Sequence, residues 1–165
     1  MNDSKKTIRL KQPDEMTDDE RTTALGLATY ARDYYKAALG ADDAIGADYH
    51  YSAPSPVMHL MAHSIELGLK AYLRHSGFTV NDIKALGHNL VVCWQKAVEK
   101  GVKDSVDLTE VDLEILGIIS ELHVSTELRY IKVGAKTLPV FGPLTILAEK
   151  ILKGVCEPIG LGLNF

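Results

Sequence analysis

His59, His63 and Glu66 lie along one apolar stretch, HLMAHSIELGLKAYLRHSG, at residues 59–77. Spacings of four and three residues place side chains on one face of a helix, so two imidazoles and a carboxylate project together. One chemistry open to such a set is metal binding, because imidazoles on adjacent turns can meet a single zinc ion with the carboxylate beside them. No HExxH pattern accompanies them, and the spacing supplies no fourth ligand. The other chemistry is internal pairing. Lys70 stands four residues beyond Glu66, in the order that favours an ion pair. His59, His63, Glu66 and Lys70 then form a thin polar seam on a helix whose remaining circumference carries Leu60, Met61, Ile65, Leu67, Leu69, Tyr72 and Leu73. A helix apolar nearly all round is surrounded by neighbours. Burying an unpaired polar group costs about 1–3 kcal/mol, so the preferred reading of the seam is a satisfied network that fixes how helices register.

The elements that must hold this seam can be read from caps and periodicity. Thr17 with Glu20 forms a capping box and opens a helix expected over residues 18–39, with Ala24, Leu27, Ala28, Ala31, Tyr35 and Ala38 at helical spacing. The Gly- and Asp-rich stretch at residues 40–55 reads as a long loop. Ser55 and Pro56 start the seam helix, which Gly77 ends. Thr79 with Asp82 begins a short helix ending at Gly87, and another follows from His88 or Asn89 to Lys100. Thr109 with Asp112 opens a helix expected to reach Tyr130, with Val111, Ile115, Ile118, Ile119 and Leu122 on its buried face. Pro143 begins a last helix to about Cys156. The fold class expected is all-α, an up-and-down four-helix bundle with one or two additional short helices. Residues 1–16, including a strand-like alternation at 7–11, form a flexible N-terminal segment, 17–157 a single domain and 158–165 a tail.

Composition narrows the class. The chain has 165 residues, 46% hydrophobic and 24% charged, with a formal net charge of −4. That suits one soluble domain and offers no broad attraction for a polyphosphate, so contact with nucleic acid needs a local basic patch or a dimer groove. Cys93 and Cys156 show no metal-type spacing and read as reduced thiols. The N-terminus carries no secretory pattern and no apolar run approaches the ~18 residues of a membrane span. A cytoplasmic protein without membrane contact is expected.

Three segments fall in order along these helices: HSIELGLKAYL at 63–73, GHNL at 87–90 and ELRY at 127–130. Together they resemble the HEPN superfamily of small helical bundles, named for higher-eukaryote and prokaryote nucleotide binding. Glu66, Leu67, Leu69 and Lys70 match its Glu-Leu-x-Leu-Lys segment, Gly87, His88 and Leu90 its Gly-His-x-Leu turn, and Arg129 and Tyr130 its later Arg-Tyr. The resemblance spans about residues 20–156. It implies a homodimeric bundle whose seam meets the end of the fifth helix, with Arg129 available to Glu66 or Glu127. It also implies nucleotide, RNA or a nucleotidyltransferase-type protein as partner, and no cofactor.

Many members of that superfamily are metal-independent ribonucleases, some of them toxins, with an Arg-x(4–6)-His motif in which arginine stabilises phosphate charge and imidazole moves a proton. Here no arginine has a histidine at that spacing. The expectation is therefore a non-catalytic binding or regulatory module, with a polar network or ligand site drawn from His59, His63, Glu66, Lys70, His88, Glu127, Arg129 and Tyr130. The alternatives are a ribonuclease using Arg129 with His88 or His123, and a helical metalloprotein using His59, His63 and Glu66. His88 itself, after Gly87, can cap backbone amides or bond across the bundle. Trp94, with Val91 and Ala97, reads as core or dimer interface, and Tyr34, Tyr35, Tyr49 and Tyr51 as cover for one end of the bundle.

Overall fold

Capping chemistry sets most of the helix starts. The computed structural model describes residues 11–45, 53–130 and 132–162. Along them run α1 (Asp18–Arg21), α2 (Ala24–Ile45), α3 (Ser55–His75), α4 (Val80–Ala85), α5 (Leu90–Glu99), α6 (Glu110–Val124) and α7 (Phe141–Cys156). Among the described residues there is no strand, and no helix is long and apolar enough to cross a membrane. Complete capping boxes open α1 (Thr17/Glu20), α4 (Thr79/Asp82) and α6 (Thr109/Asp112), each satisfying two otherwise unpaired backbone donors. Asn89 caps α5 by accepting from the amide of Val92 at 3.0 Å.

The protein is an all-α bundle built around α3. That helix packs most extensively on α2 and also meets α7, α5 and α6. Its core positions Val57, Met58, Met61, Ile65, Leu69 and Leu73 are fully buried, as an apolar circumference requires. Small residues set the closest approaches. Ala28, Ala31 and Ala38 of α2 are buried, and Ser64 on α3 donates to the carbonyl of Ala31 at 2.9 Å. Gly68 lies so near α7 that a Cβ there would be 2.6 Å from a methyl of Leu152.

Six expectations from the sequence need correction. The helix expected over 18–39 is interrupted: Thr23 accepts from the amide of Gly26 at 3.0 Å and restarts the chain as α2. Arg74, from the end of α3, meanwhile donates to the carbonyls of Asp19, Thr22 and Phe78 at 2.6, 3.0 and 2.7 Å. A guanidinium taking the free carbonyls of a terminating turn makes the break stable. Second, α2 runs through Gly40 to Ile45, so the connection is shorter than the composition suggested. Third, α6 stops at Val124 rather than Tyr130, because Thr126 adopts a left-handed φ of 65° and a turn follows. Fourth, Val111 is 62% exposed and does not belong to the buried face of α6, which is carried by Ile115, Ile119 and Leu122. Ser55 and Pro56 are the first two residues of α3 rather than its cap, which falls on Pro54, and α7 begins at Phe141, two residues before Pro143. Residues 1–10, Tyr49, Tyr51 and residues 163–165 lie outside the described residues, and with them most of the strand-like alternation at 7–11.

Candidate functional site: a carboxylate ringed by imidazoles

Glu66 sits midway along α3 and is 2% exposed. Its two oxygens are shared among four side chains. Oε1 accepts from Lys70 Nζ at 2.7 Å, one turn along the same helix. Oε2 meets His123 Nε2 at 2.7 Å and His63 Nδ1 at 3.4 Å. His88 Nδ1 stands 3.1 Å from both oxygens. Lys70 is itself divided, donating also to the carbonyl of Gly87 at 2.7 Å.

Each partner arrives for a local reason. His63 and Lys70 are on α3, three residues before and four after Glu66, which is the helical neighbour relation. His88 is delivered by the tight turn after α4, where Gly87 takes a φ of 59°, a conformation glycine adopts without steric cost. His123 comes from the last turn of α6. It follows Ile115, Ile119 and Leu122 on the buried face of that helix, and is itself 2% exposed. Ser120, one turn earlier, fixes α6 against the start of α5. Its hydroxyl accepts from the amide of Leu90 at 3.0 Å and donates to Asn89 Oδ1 at 3.3 Å.

Burial alone would raise the Glu66 carboxyl, but hydrogen bonds from His123, His63 and Lys70, together with the Lys70 charge, outweigh it. The group is held far below the usual carboxylate range and stays ionised. His59 is the outer member of the cluster. Its ring lies 5.5 Å from that of His123 and 6.1 Å from that of His63, centroid to centroid. Burial, followed by the charges of His123, His63 and Arg129, lowers its basicity, while Glu66 opposes the shift. The Nδ1 atoms of His59 and His123 are buried and have no hydrogen-bond partner among the described residues. Tyr34 closes the other side of His63, with ring centroids 4.5 Å apart and the planes nearly perpendicular.

His59, His63, Glu66, Lys70 and His88 therefore do gather, as the seam and the Gly-His turn suggested. The third segment does not join them in the way the resemblance implied. With α6 ended at Val124, the ELRY residues form a turn that buries Leu128 and leaves Arg129 and Tyr130 exposed. Arg129 is not among the hydrogen-bond partners of Glu66, and Glu127 pairs instead with Lys136 and Lys132 at 3.6 and 3.8 Å. His123 takes the place expected of Arg129. The metal-ligand set is likewise rearranged: the donors that converge are His63, Glu66 and His123, all within 4.8 Å of one another, rather than His59, His63 and Glu66. Helical spacing on α6 carried the signal, since position 123 follows 119 by four, on the same face. Tyr34 was placed by its sequence as cover and proves to touch the cluster.

The arrangement can hold charge, relay protons or bind a metal. It offers no nucleophile of the thiol kind, because burial pushes both Cys93 and Cys156 up to about 11, well away from a thiolate at neutral pH. The grooves described on the surface lie elsewhere. One of about 450 Å³ is lined by Val91, Trp94, Leu108, Leu113 and their neighbours between α5 and α6. An adjoining groove along the same helices includes Asn89, Val92, Gly117 and Val124. Compared with known protein families, with curated proteins and with solved structures, the chain matches none.

Proposed function

We propose that this chain is a non-catalytic, HEPN-like binding or regulatory module that works as a homodimer and engages a nucleotide, RNA or a nucleotidyltransferase-type protein. The observation that carries this reading is the saturation of Glu66. A carboxylate 2% exposed, with both oxygens committed to Lys70, His63, His88 and His123, acts as a joint between α3, α6 and the turn before α5. A catalytic carboxylate needs a face open to substrate, and this one is enclosed by its neighbours. The missing Arg-to-His spacing points the same way. Light scattering coupled to size-exclusion chromatography tests the assembly: a dimer at micromolar concentration is expected, and a strict monomer contradicts it. Fluorescence anisotropy with labelled single-stranded RNA and with nucleotides then tests the ligand class.

One observation favours a second reading, a metal-independent ribonuclease. The side chain of His88 is 55% exposed, yet its Nδ1 is fixed by buried Glu66. A carboxylate that orients an imidazole leaves the second ring nitrogen free for proton transfer. His123 is buried, so direct contact with a polymer falls to His88, with Arg129 as the exposed cation. Cleavage of total RNA that disappears in both His88→Ala and Arg129→Ala would establish this activity; intact RNA under the same conditions excludes it.

A further inference from the structure

We propose that His63, Glu66 and His123 form a binding site for one divalent transition-metal ion, with Zn²⁺ the best match to the donor set. The inference goes beyond the binding-module reading and stands apart from it. Two imidazoles and one carboxylate are a recurrent protein ligand set for zinc, whereas Ca²⁺ and Mg²⁺ take oxygen ligands. Here the three donors come from two helices packed together, α3 and α6, and already converge: His63 Nδ1 and His123 Nε2 lie 3.4 and 2.7 Å from the same oxygen, Oε2. Donors around a tetrahedral zinc at ~2.0–2.1 Å sit about 3.3 Å apart; the His63–Glu66 contact already matches, the His123–Glu66 contact must open, and all three donors lie within 4.8 Å of one another.

The surroundings of Glu66 are those of a ligand held in place. Lys70 donates to Oε1 and to the carbonyl of Gly87, so its charge is anchored on the oxygen away from His123. His88 adds a second contact to the carboxylate. Outer partners of this kind fix the orientation of metal-binding carboxylates. A separate observation concerns protons. Nδ1 of His123 and Nδ1 of the adjoining His59 are buried without a hydrogen-bond partner among the described residues, so hydrogen bonds do not satisfy every nitrogen of the cluster. With a metal at Nε2, His123 carries its single proton on Nδ1, and with a metal at His63 Nδ1, that ring carries its proton on Nε2. Binding breaks the contacts of His63 Nδ1 and His123 Nε2 with Oε2 and forms three metal bonds, each ligating nitrogen giving up any proton it holds, to the other ring nitrogen in a neutral imidazole and to solvent in a charged one.

The test uses the full chain after chelator treatment. Zn²⁺ is titrated against a chromophoric competitor, and Co²⁺ is added separately to read its visible ligand-field bands. One Zn²⁺ per chain is expected, with strong Co²⁺ bands of four- or five-coordinate type. His63→Ala should weaken Zn²⁺ binding tenfold or more while circular dichroism stays helical, and Glu66→Gln should do the same. His63 is partly exposed and remains decisive if Glu66→Gln fails to fold. His75→Ala, altering an exposed histidine at the end of α3, should leave binding unchanged. Sub-stoichiometric binding at micromolar Zn²⁺, or equal affinity in wild type and His63→Ala, overturns the site. Neither result depends on whether the chain dimerises or binds RNA.

Discussion

Glu66 and His123, fifty-seven residues apart in the chain, share a 2.7 Å hydrogen bond and are each 2% exposed. This contact joins α3 to α6 at a buried point, beside the Glu66–Lys70 pair within α3. Removing one member of a buried ion pair strands the other, at a cost of about 3–5 kcal/mol. Glu66→Leu should therefore destabilise the protein by that amount in urea unfolding. The double variant Glu66→Leu/Lys70→Met should recover much of the loss, since it no longer leaves an unpaired ammonium inside. If the double variant is as unstable as the single one, the ion pair is not the source of the cost.

Acid should weaken the bundle in two stages, measured with chelator present. The folded protein lowers the pKa of His59 below its ordinary 6.5, so the unfolded chain takes up that proton first and stability falls as the pH drops below 6.5. The groups facing His59 are His63, His123, Arg129 and Glu66. Glu66 acts lower down: its depressed carboxyl contributes fully above its ordinary 4.5, and that contribution is lost as the pH falls toward its folded-state value. Urea midpoints between pH 7.5 and 5 should fall for wild type and stay flatter for His59→Leu. Parallel curves would remove His59 from this account.

Asp112 couples a helix cap to a helix contact. Its carboxylate accepts from the amide and hydroxyl of Thr109 at 2.9 and 2.8 Å and from Lys150 of α7 at 2.7 Å. Burial opposes its ionisation, but Lys150 and Thr109 prevail and lower its pKa. Asp112→Asn should cost about 1–2 kcal/mol in chemical denaturation at pH 7. The difference from wild type should shrink as the pH falls below the ordinary aspartate value of 3.8, where the native carboxylate also loses its charge.

Two glycines in helices should respond to alanine with opposite signs. At Gly154 in α7 a Cβ would lie 2.5 Å from the carbonyl oxygen of Ser105 and would press into Val106. Backbone cannot yield as a side chain does, so Gly154→Ala should cost about 1–3 kcal/mol. At Gly40 in α2 a Cβ meets nothing within 4 Å among the described residues, and Gly40→Ala should gain up to about 1 kcal/mol from helix propensity. Thermal unfolding of the two variants provides the comparison. Destabilisation at both positions would mean that the gain at Gly40 is cancelled by something other than packing.

Much of the fold was legible because its signals are local. Thr17/Glu20, Thr79/Asp82 and Thr109/Asp112 declare their helices through side chains that bond three residues away, and Gly77 ends α3 at a φ of 96°. The breaks were less legible. The interruption at Thr22 depends on Arg74, fifty-two residues away, and the end of α6 depends on a threonine in a left-handed conformation that its side chain disfavours. The site divides along the same line. The part of the seam on α3 was visible as a helical pattern, but which remote side chain would face Glu66 was not, since Arg129 and His123 are both suitable partners. The turn that ends α6 early leaves Arg129 outside, and the seat falls to His123.

His88 gives the inner carboxylate a link with the world beyond the helices. One edge of its ring touches Glu66 while much of the side chain is wetted, so a phosphate oxygen arriving at the open edge meets the interior carboxylate through a single imidazole. The charge at the centre of this bundle is therefore enclosed yet not insulated. A visitor at the surface can change the electrical balance between α3 and α6 without prising them apart.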